Sequence, residues 1–388
     1  MNKEQAEKLY MERCKLFRDT IAFKKPARIP YYANIWTWRW TDAGYTVSEV
    51  CHDYDKVKIA MDLFFSKYKV DAVIDSGVRN PFPLVNTLGD SWYDNLGKES
   101  FNCGDKYCFD AEDLDAMKEN IVKALWEIGQ FKKFPNAKNY TPEQYAKAAK
   151  SLQELFEVRD WLVKDLARGK YGCYCGWSPN VVGFEVMYLF FRGIKGVSLD
   201  LRRDPQKLKE VCLAIDEIVL NPVIKRLRAL PRGYDMEKPY DEFSLMLGHT
   251  VLSEKQFGEI YWPAFKRYID TFAETGKQLF VFSEGNWIRF ADFFDEVPRG
   301  VVALHVELDD IYEVRKRNKT ITLSGGLQNS VMSRGTPQEC VEMAKRAIDT
   351  LGQDGGFILS ENKMCSYPMD AKPENVKAVA EFASNYWL

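Results

Sequence analysis

The chain lacks a charge surplus of either sign: 54 Lys and Arg stand against 56 Asp and Glu in 388 residues, a formal net charge of −2. That balance gives no global electrostatic footprint for nucleic acid. Also missing is any run of ~18 consecutive apolar residues, the length a membrane-crossing helix needs. The opening MNKEQAEKLYMERCKLFRD reads as a charged amphipathic helix. It has neither the apolar core of a signal peptide nor the acid-poor bias of a transit peptide. No low-complexity linker divides the chain, and Leu230–Lys238 is the one Pro/Gly-marked candidate boundary. The nine cysteines are odd in number and scattered, so no disulfide framework is expected. Reduced thiols in a cytoplasmic protein, with neither nucleic acid nor membrane as partner, are the plain expectation.

What is present is an ordinary soluble composition, 46% hydrophobic and 28% charged, with a high aromatic share of 14%. The last quarter carries four short strands, each followed by a segment with helical spacing. They are Gln278–Ser283, Val301–Val306, Thr320–Ser324 and Gly356–Ser360; the helical spacing is clearest in Pro337–Leu351 and Pro373–Tyr386. Apolar strands alternating with helices imply a parallel sheet covered on both faces. Upstream, Arg28–Ile35, Val70–Asp75, Tyr171–Gly176 and Glu242–Leu247 supply four more strands. Between the second and third lie a hairpin at Phe101–Phe109, turning on Gly104–Asp105, and helices at about 111–129 and 142–168. The fold class expected is therefore α/β: a (β/α)8 TIM barrel with N-terminal helices. It is read as a single domain over 1–388, with a helical and hairpin insertion at about 95–168 between strands two and three.

In such a barrel the residues just past the strand ends converge on one mouth. Glu284 follows strand five, where a carboxylate can ligate a metal or act as a general base; the bland account is a helix N-terminal carboxylate. Asn286 beside it is placed for substrate. His305 and Glu307 share a face of strand six by alternation. His305 is either an acid/base group or a satisfied barrel histidine, and Glu307 is nearer the rim. His249, closing strand four, is a candidate acid/base group or nitrogen ligand. Cys365 follows strand eight, where a thiolate suits zinc, although a lone cysteine is equally a small buried residue. Gly325 and Gly326 leave backbone N–H groups free to meet an anion or cofactor edge, with Gln328 just beyond. Trp36, Trp38 and Trp40 share one face if the chain stays extended there, forming an aromatic wall for a planar ligand or else packing insertion helices. The pair Cys173 and Cys175 has no second pair at zinc spacing and reads as packing.

The segments SEGNWIRFADFFDEVPRG, LHVELDDIYEV, ITLSGGLQNSVMSRGTPQECVEMAKRAIDTLGQDGGFILS and MDAKPENVKAV resemble the uroporphyrinogen decarboxylase superfamily, with weaker likeness at FKKPARIPYY, FFSKYKVDAV and FFRGIKGVSLDLRRDPQKL. An Arg-rich signature for gripping propionates is not evident, since that region reads TWRWTDAGYT. The chain is more similar to the branch of corrinoid-dependent methyltransferases. That resemblance implies zinc held by a His-x-Cys pair after strand five, a Cys after strand eight and a Glu ending strand six. Phe282 stands in place of the His and Glu284 in place of the first Cys, while Cys365 and Glu307 match the others. A metal set of Glu284, Glu307 and Cys365, with His249 as a candidate fourth ligand, is then oxygen-rich, suiting an ether more than a thiol.

The expectation is a methyltransferase moving a methyl group between a small substrate, an aromatic methyl ether, and the cobalt of a separate corrinoid protein. Catalytic roles fall to Glu284, His305 and His249. Substrate or cofactor binding falls to Trp36, Trp38, Asn286, Gly325, Gly326 and Gln328. A homodimer is compatible with this reading. The rival is a metal-independent decarboxylase of a tetrapyrrole or other carboxylated substrate, with Arg39, Arg79 and Arg289 as the available cations. A third reading makes the chain a corrinoid or tetrapyrrole carrier with a decayed site.

Overall fold

The computed structural model describes residues 1–75, 82–89, 93–94, 102–103, 107–176 and 179–388. All eight expected strands are found, in order, and all pair in parallel. The first three are short ladders: β1 (Tyr32–Ala33) pairs with β2 (Ala72–Val73), which pairs with β5 (Tyr174–Cys175). A second sheet runs from β6 (Pro179–Asn180) through β7 (Glu242–Met246), β8 (Leu279–Ser283), β9 (Val302–His305) and β10 (Thr322–Leu327) to β11 (Phe357–Glu361). One bridge joins these sheets: Tyr31 lies parallel to Leu359, whose N–H donates to the Pro30 carbonyl at 3.0 Å. First and last strands are thus neighbours, the order of a (β/α)8 barrel.

Alternation sorts the strand residues between two cores. Phe243, Leu245, Phe280, Phe282, Ala303 and Ile358 form one buried cluster inside the ring. Leu279, Val281, Val302, Leu304, Leu323 and Leu359 belong to the larger cluster packed under the helices. Cys173 and Cys175 fall on that outer face, so the packing account of the pair holds. The N-terminal helix Lys3–Ile21, opened by an Asn2 capping box, adds Phe17 and Ile21 to the inner cluster. Its Arg18 anchors it at the N-terminal ends of β7 and β8, bonding Asp241 at 2.6 Å and the Lys238 and Asp235 carbonyls at 2.8 and 2.7 Å.

Several expectations change. The segment around IWTWRW is extended only as far as Ile35; Trp38–Asp42 is a helix. Trp38 and Trp40 pack into the outer core, Trp38 donating its indole N–H to the Ala371 carbonyl at 2.8 Å. They form no wall at the mouth. The expected hairpin at 101–109 has a different partner: β4 (Asn102–Cys103) pairs antiparallel with β3 (Tyr93–Asp94), and the turn at Gly104–Asp105 lies outside the described residues. Between β2 and β5 the helices include Leu114–Glu119 and Pro142–Asp160, the latter running on through a wider-wound turn to Arg168.

Glycine decides one junction. Gly355, just before β11, has φ +74°, and a Cβ there would sit 2.6 Å from the Lys24 carbonyl oxygen and 2.9 Å from the Phe23 backbone. Gly355→Ala is therefore expected to cost about 1–3 kcal/mol, from left-handed strain plus a clash that backbone cannot relieve. A lowered thermal midpoint checks this.

Candidate functional site

The C-terminal rim brings together residues from β1, β9, β10 and β11. Ala303 faces inward, so alternation turns His305 inward too, and its ring stacks on Phe282 with centroids 5.0 Å apart. Its Nε2 lies 2.8 Å from the Asn362 carbonyl oxygen. A carbonyl only accepts, so Nε2 carries the proton and Nδ1 is left as a lone-pair acceptor. Nδ1 is buried and has no partner. Burial pushes the imidazole down to about 4, so it is neutral at pH 7. Ser324 is the register partner of His305 in the β9–β10 ladder, and its Oγ is likewise buried and unpaired. Asn34, two residues past the inward-facing Tyr32, places Nδ2 3.4 Å from His305 Nε2. Both atoms are donors, so this is contact; Nδ2 points instead at the Glu361 carbonyl, 3.3 Å away, and Oδ1 is unpaired.

Asn362 ties this corner together. It accepts from His305 and from Asn329 N at 2.9 Å, and donates to the Glu307 carbonyl at 2.8 Å. Beneath it Glu361 is fully buried against Tyr31 Oη and Asn34 N, and desolvation raises its carboxyl above the usual range.

The expected metal set does not assemble. Among the described residues, no group of three or more His, Cys, Asp or Glu side chains stands close enough to hold an ion. Cys365 is buried in a bridge to Ile35, with its Sγ 3.3 Å from Asn329 Nδ2, and burial keeps it a thiol far above its ordinary pKa. The Glu307 carboxylate accepts from Gly285 N. Glu284 is exposed and faces the opposite side, where its charge is felt by Glu185 and Tyr188. Zinc held by Glu284, Glu307 and Cys365 is not what these side chains fit.

Other nominated residues separate as well. His249 is buried one turn past β7, edge-on to Phe290 at 5.8 Å. Desolvation, helped by the nearby Arg289 charge and opposed by the Met246 and Asn286 carbonyls, brings it down to about 4. Asn286 bonds Asp309 at 2.9 Å, whose other oxygen accepts from Trp287 N and Ile288 N. Gly325 and Gly326 lie within β10 rather than after it, at φ +150° and +95°; a Cβ on Gly326 would press Phe357 and Ala347 at 3.1 and 3.2 Å. Close packing accounts for the pair, and no anion cradle is needed. Gln328 precedes a short helix and, with Gly326, Glu307 and Asn362, lines a groove of about 650 Å³ reaching Arg346. Trp36 is buried and meets Trp40 edge-on at 6.3 Å.

The cations a decarboxylase needs are engaged elsewhere. Arg289 donates to the His249 and Leu252 carbonyls, each at 3.1 Å, bracing the turn after β7. Arg39 is fully buried, 3.8 Å from Asp75 and donating to its carbonyl at 2.8 Å. Arg79 lies outside the described residues.

Sequence reading passed over Asn34, Ser324, Asn362 and Glu185. Alternation already pointed to Ser324, which shares a face with Thr322, and to Asn34, which shares one with Tyr32. Glu185 had no signal: it is a helix residue whose Oε1 accepts from Leu247 N, Gly248 N and Tyr261 Oη at 2.8–2.9 Å.

Similarity to known proteins agrees with this architecture. No curated protein matches the chain. Among solved structures, a methyltransferase from Methanosarcina mazei superposes with a TM-score of 0.55 over 95% of this chain and 97% of the other, at 15% identity, a likeness of fold. None of the described helices is long and apolar enough to cross a membrane. The family model for uroporphyrinogen decarboxylase (URO-D) matches residues 188–386, just over half of the length, from the helices after β6 to the last helix. With strands, rim and match in agreement, the chain belongs to the uroporphyrinogen decarboxylase family.

Proposed function

We propose that the chain is a methyltransferase that moves a methyl group between a small aryl methyl ether and the cobalt of a corrinoid carried by a separate protein. The observation that carries this choice is the polarity of the rim. Glu307 stands there with a neutral His305, while the nominated cations Arg289 and Arg39 are spent on carbonyls and Asp75. A substrate bearing several carboxylates would find neither Arg289 nor Arg39 free to hold it; an uncharged ether needs neither. The likeness in fold to a methyltransferase supports the same reading.

The corrinoid, brought as a co-substrate, supplies the electron pair that takes the methyl group. The C–O bond breaks with its electrons left on oxygen, and that oxygen takes up a proton. The chain's own work is to orient the ether and exclude water. The inner aromatic cluster, Phe282 and Phe280 above all, offers an apolar floor for a ring. To Glu284, the exposed carboxylate that follows β8, we assign the exchange of that proton with solvent.

The test is turnover of a methoxyarene in the presence of reduced corrinoid, with metal analysis of the same sample. Phenol should form with a chelator-treated enzyme as with an untreated one, and Glu284→Gln should lower kcat by about 10²-fold. Carbon dioxide release from a porphyrinogen without phenol formation would transfer the assignment to the decarboxylase.

A further inference from the structure

The groove of about 650 Å³ at Glu307 and Asn362 adjoins a second hollow of about 660 Å³, and the two share Gln328, Met343 and Arg346. Together they form one long groove beside the helix Pro337–Leu351. Its helix residues run from Glu339 to Thr350, about 16 Å along the axis. The apolar lining, Val306, Ile311 and Met343, belongs to the outer core, so the groove lies outside the barrel interior.

The charges along it are unequally engaged. Every carboxylate in the lining already accepts a hydrogen bond. At the rim Glu307, Asp309 and Asp310 take backbone N–H groups; in the outer hollow Glu339 takes Thr336 N at 2.7 Å and Glu342 takes Gln338 Nε2 at 2.8 Å. The two arginines of the outer hollow, Arg334 and Arg346, have no such partners. Among the described residues neither guanidinium forms an ion pair or a hydrogen bond. Arg346 lies 5.8 Å from the centre of the Tyr312 ring, although Glu342 stands one turn away on its own helix. Lys372, whose Nζ meets the Arg334 and Gly335 carbonyls at 3.2 and 3.1 Å, adds a positive charge that reaches Glu339. Three cations thus stand against two occupied carboxylates. Gln328 and Ser330 add an amide and a hydroxyl to the same hollow.

We propose that Arg334 and Arg346 hold the phosphate of a small phosphate monoester whose organic part lies along the groove over Met343. Phosphate suits the pair better than carboxylate does. Each guanidinium fork can engage two oxygens, and a carboxylate has only two to offer both forks. The inference does not depend on the methyl-transfer reading, since the site lies outside the barrel interior.

Calorimetry of the intact chain at low ionic strength, with phenyl phosphate and benzoate as probes, tests the site. Phenyl phosphate should bind saturably, and benzoate about 10-fold more weakly or worse. Arg334→Ala and Arg346→Ala should each weaken phenyl phosphate by about 10-fold or more. Both side chains are exposed, so the thermal midpoints of these variants should stay near that of the wild type. Arg232→Ala, at an exposed arginine that lines neither hollow, should leave the affinity unchanged. No saturable binding of phenyl phosphate, or benzoate bound equally well, would overturn the assignment. So would a loss in Arg232→Ala as large as in the two groove variants, which would mark diffuse surface charge in place of a site.

Discussion

Arg18→Ala should destabilise the protein by about 3–5 kcal/mol, the range for breaking a buried pair by deleting one partner. Arg18 and Asp241 have side chains only 1% and 5% exposed, 2.6 Å apart. The guanidinium also serves the Lys238 and Asp235 carbonyls and Gln278 Oε1 at 3.2 Å, so its loss strands three acceptors together with a charge. Part of the cost is geometric, because this arginine fastens the N-terminal helix whose Phe17 and Ile21 help fill the ring. A cooperative loss of thermal midpoint with exposure of the barrel interior to a hydrophobic dye checks it. Loss of the helix alone, with the barrel melting unchanged, would show that the anchor is local.

The second large effect is a change in how stability depends on pH. Burial raises the Glu185 carboxyl from 4.5 to about 7, against the opposing pull of its donors at Gly248, Leu247 and Tyr261. The fold therefore holds this proton more tightly than the unfolded chain does. Its contribution is fully present below pH 4.5 and is lost as pH rises through 7, a swing of about 3 kcal/mol. His249 and His305 work in the other direction. Both are held neutral, from 6.5 down to about 4, so their contribution is present above 6.5 and is lost as pH falls toward 4. The two trends oppose each other between pH 4.5 and 6.5, which flattens the wild-type profile. Glu185→Gln removes one of them. Its stability should climb with pH across that window and gain on the wild type by about 3 kcal/mol between pH 4.5 and 7. Midpoints of both proteins measured at half-unit steps decide it; parallel curves would mean that Glu185 is ionised in the fold.

The strands in the second half of the chain were legible because their apolar runs are long enough to be buried on both faces. Leu279–Ser283 and Phe357–Glu361 fall within a residue of their expected limits. The first three are harder to read because their ladders are only two residues long. IWTWRW misleads for a physical reason: alternating tryptophans mimic a strand, but the chain turns into a helix as soon as Ile35 leaves its bridge to Cys365. At the rim, strand ends told which residues would be near the mouth but not which way each would lean. Glu284 and Cys365 both follow strands, yet one is exposed beside Tyr188 and the other is sealed against Asn329. Asn34, His305 and Ser324 show the limit from the other side. Alternation sends them inward, but that each keeps an unpaired polar atom is visible only once every neighbouring donor and acceptor is in place.

The most direct measurement follows the methyl carbon itself. 2-Methoxyphenol labelled with ¹³C in its methoxy group is mixed with the protein and reduced corrinoid, and the label is traced by NMR. The account predicts that the signal leaves the aryl ether and appears on cobalt, with catechol released in equal amount. A label that stays on the ring, in protein shown to bind the compound, contradicts it.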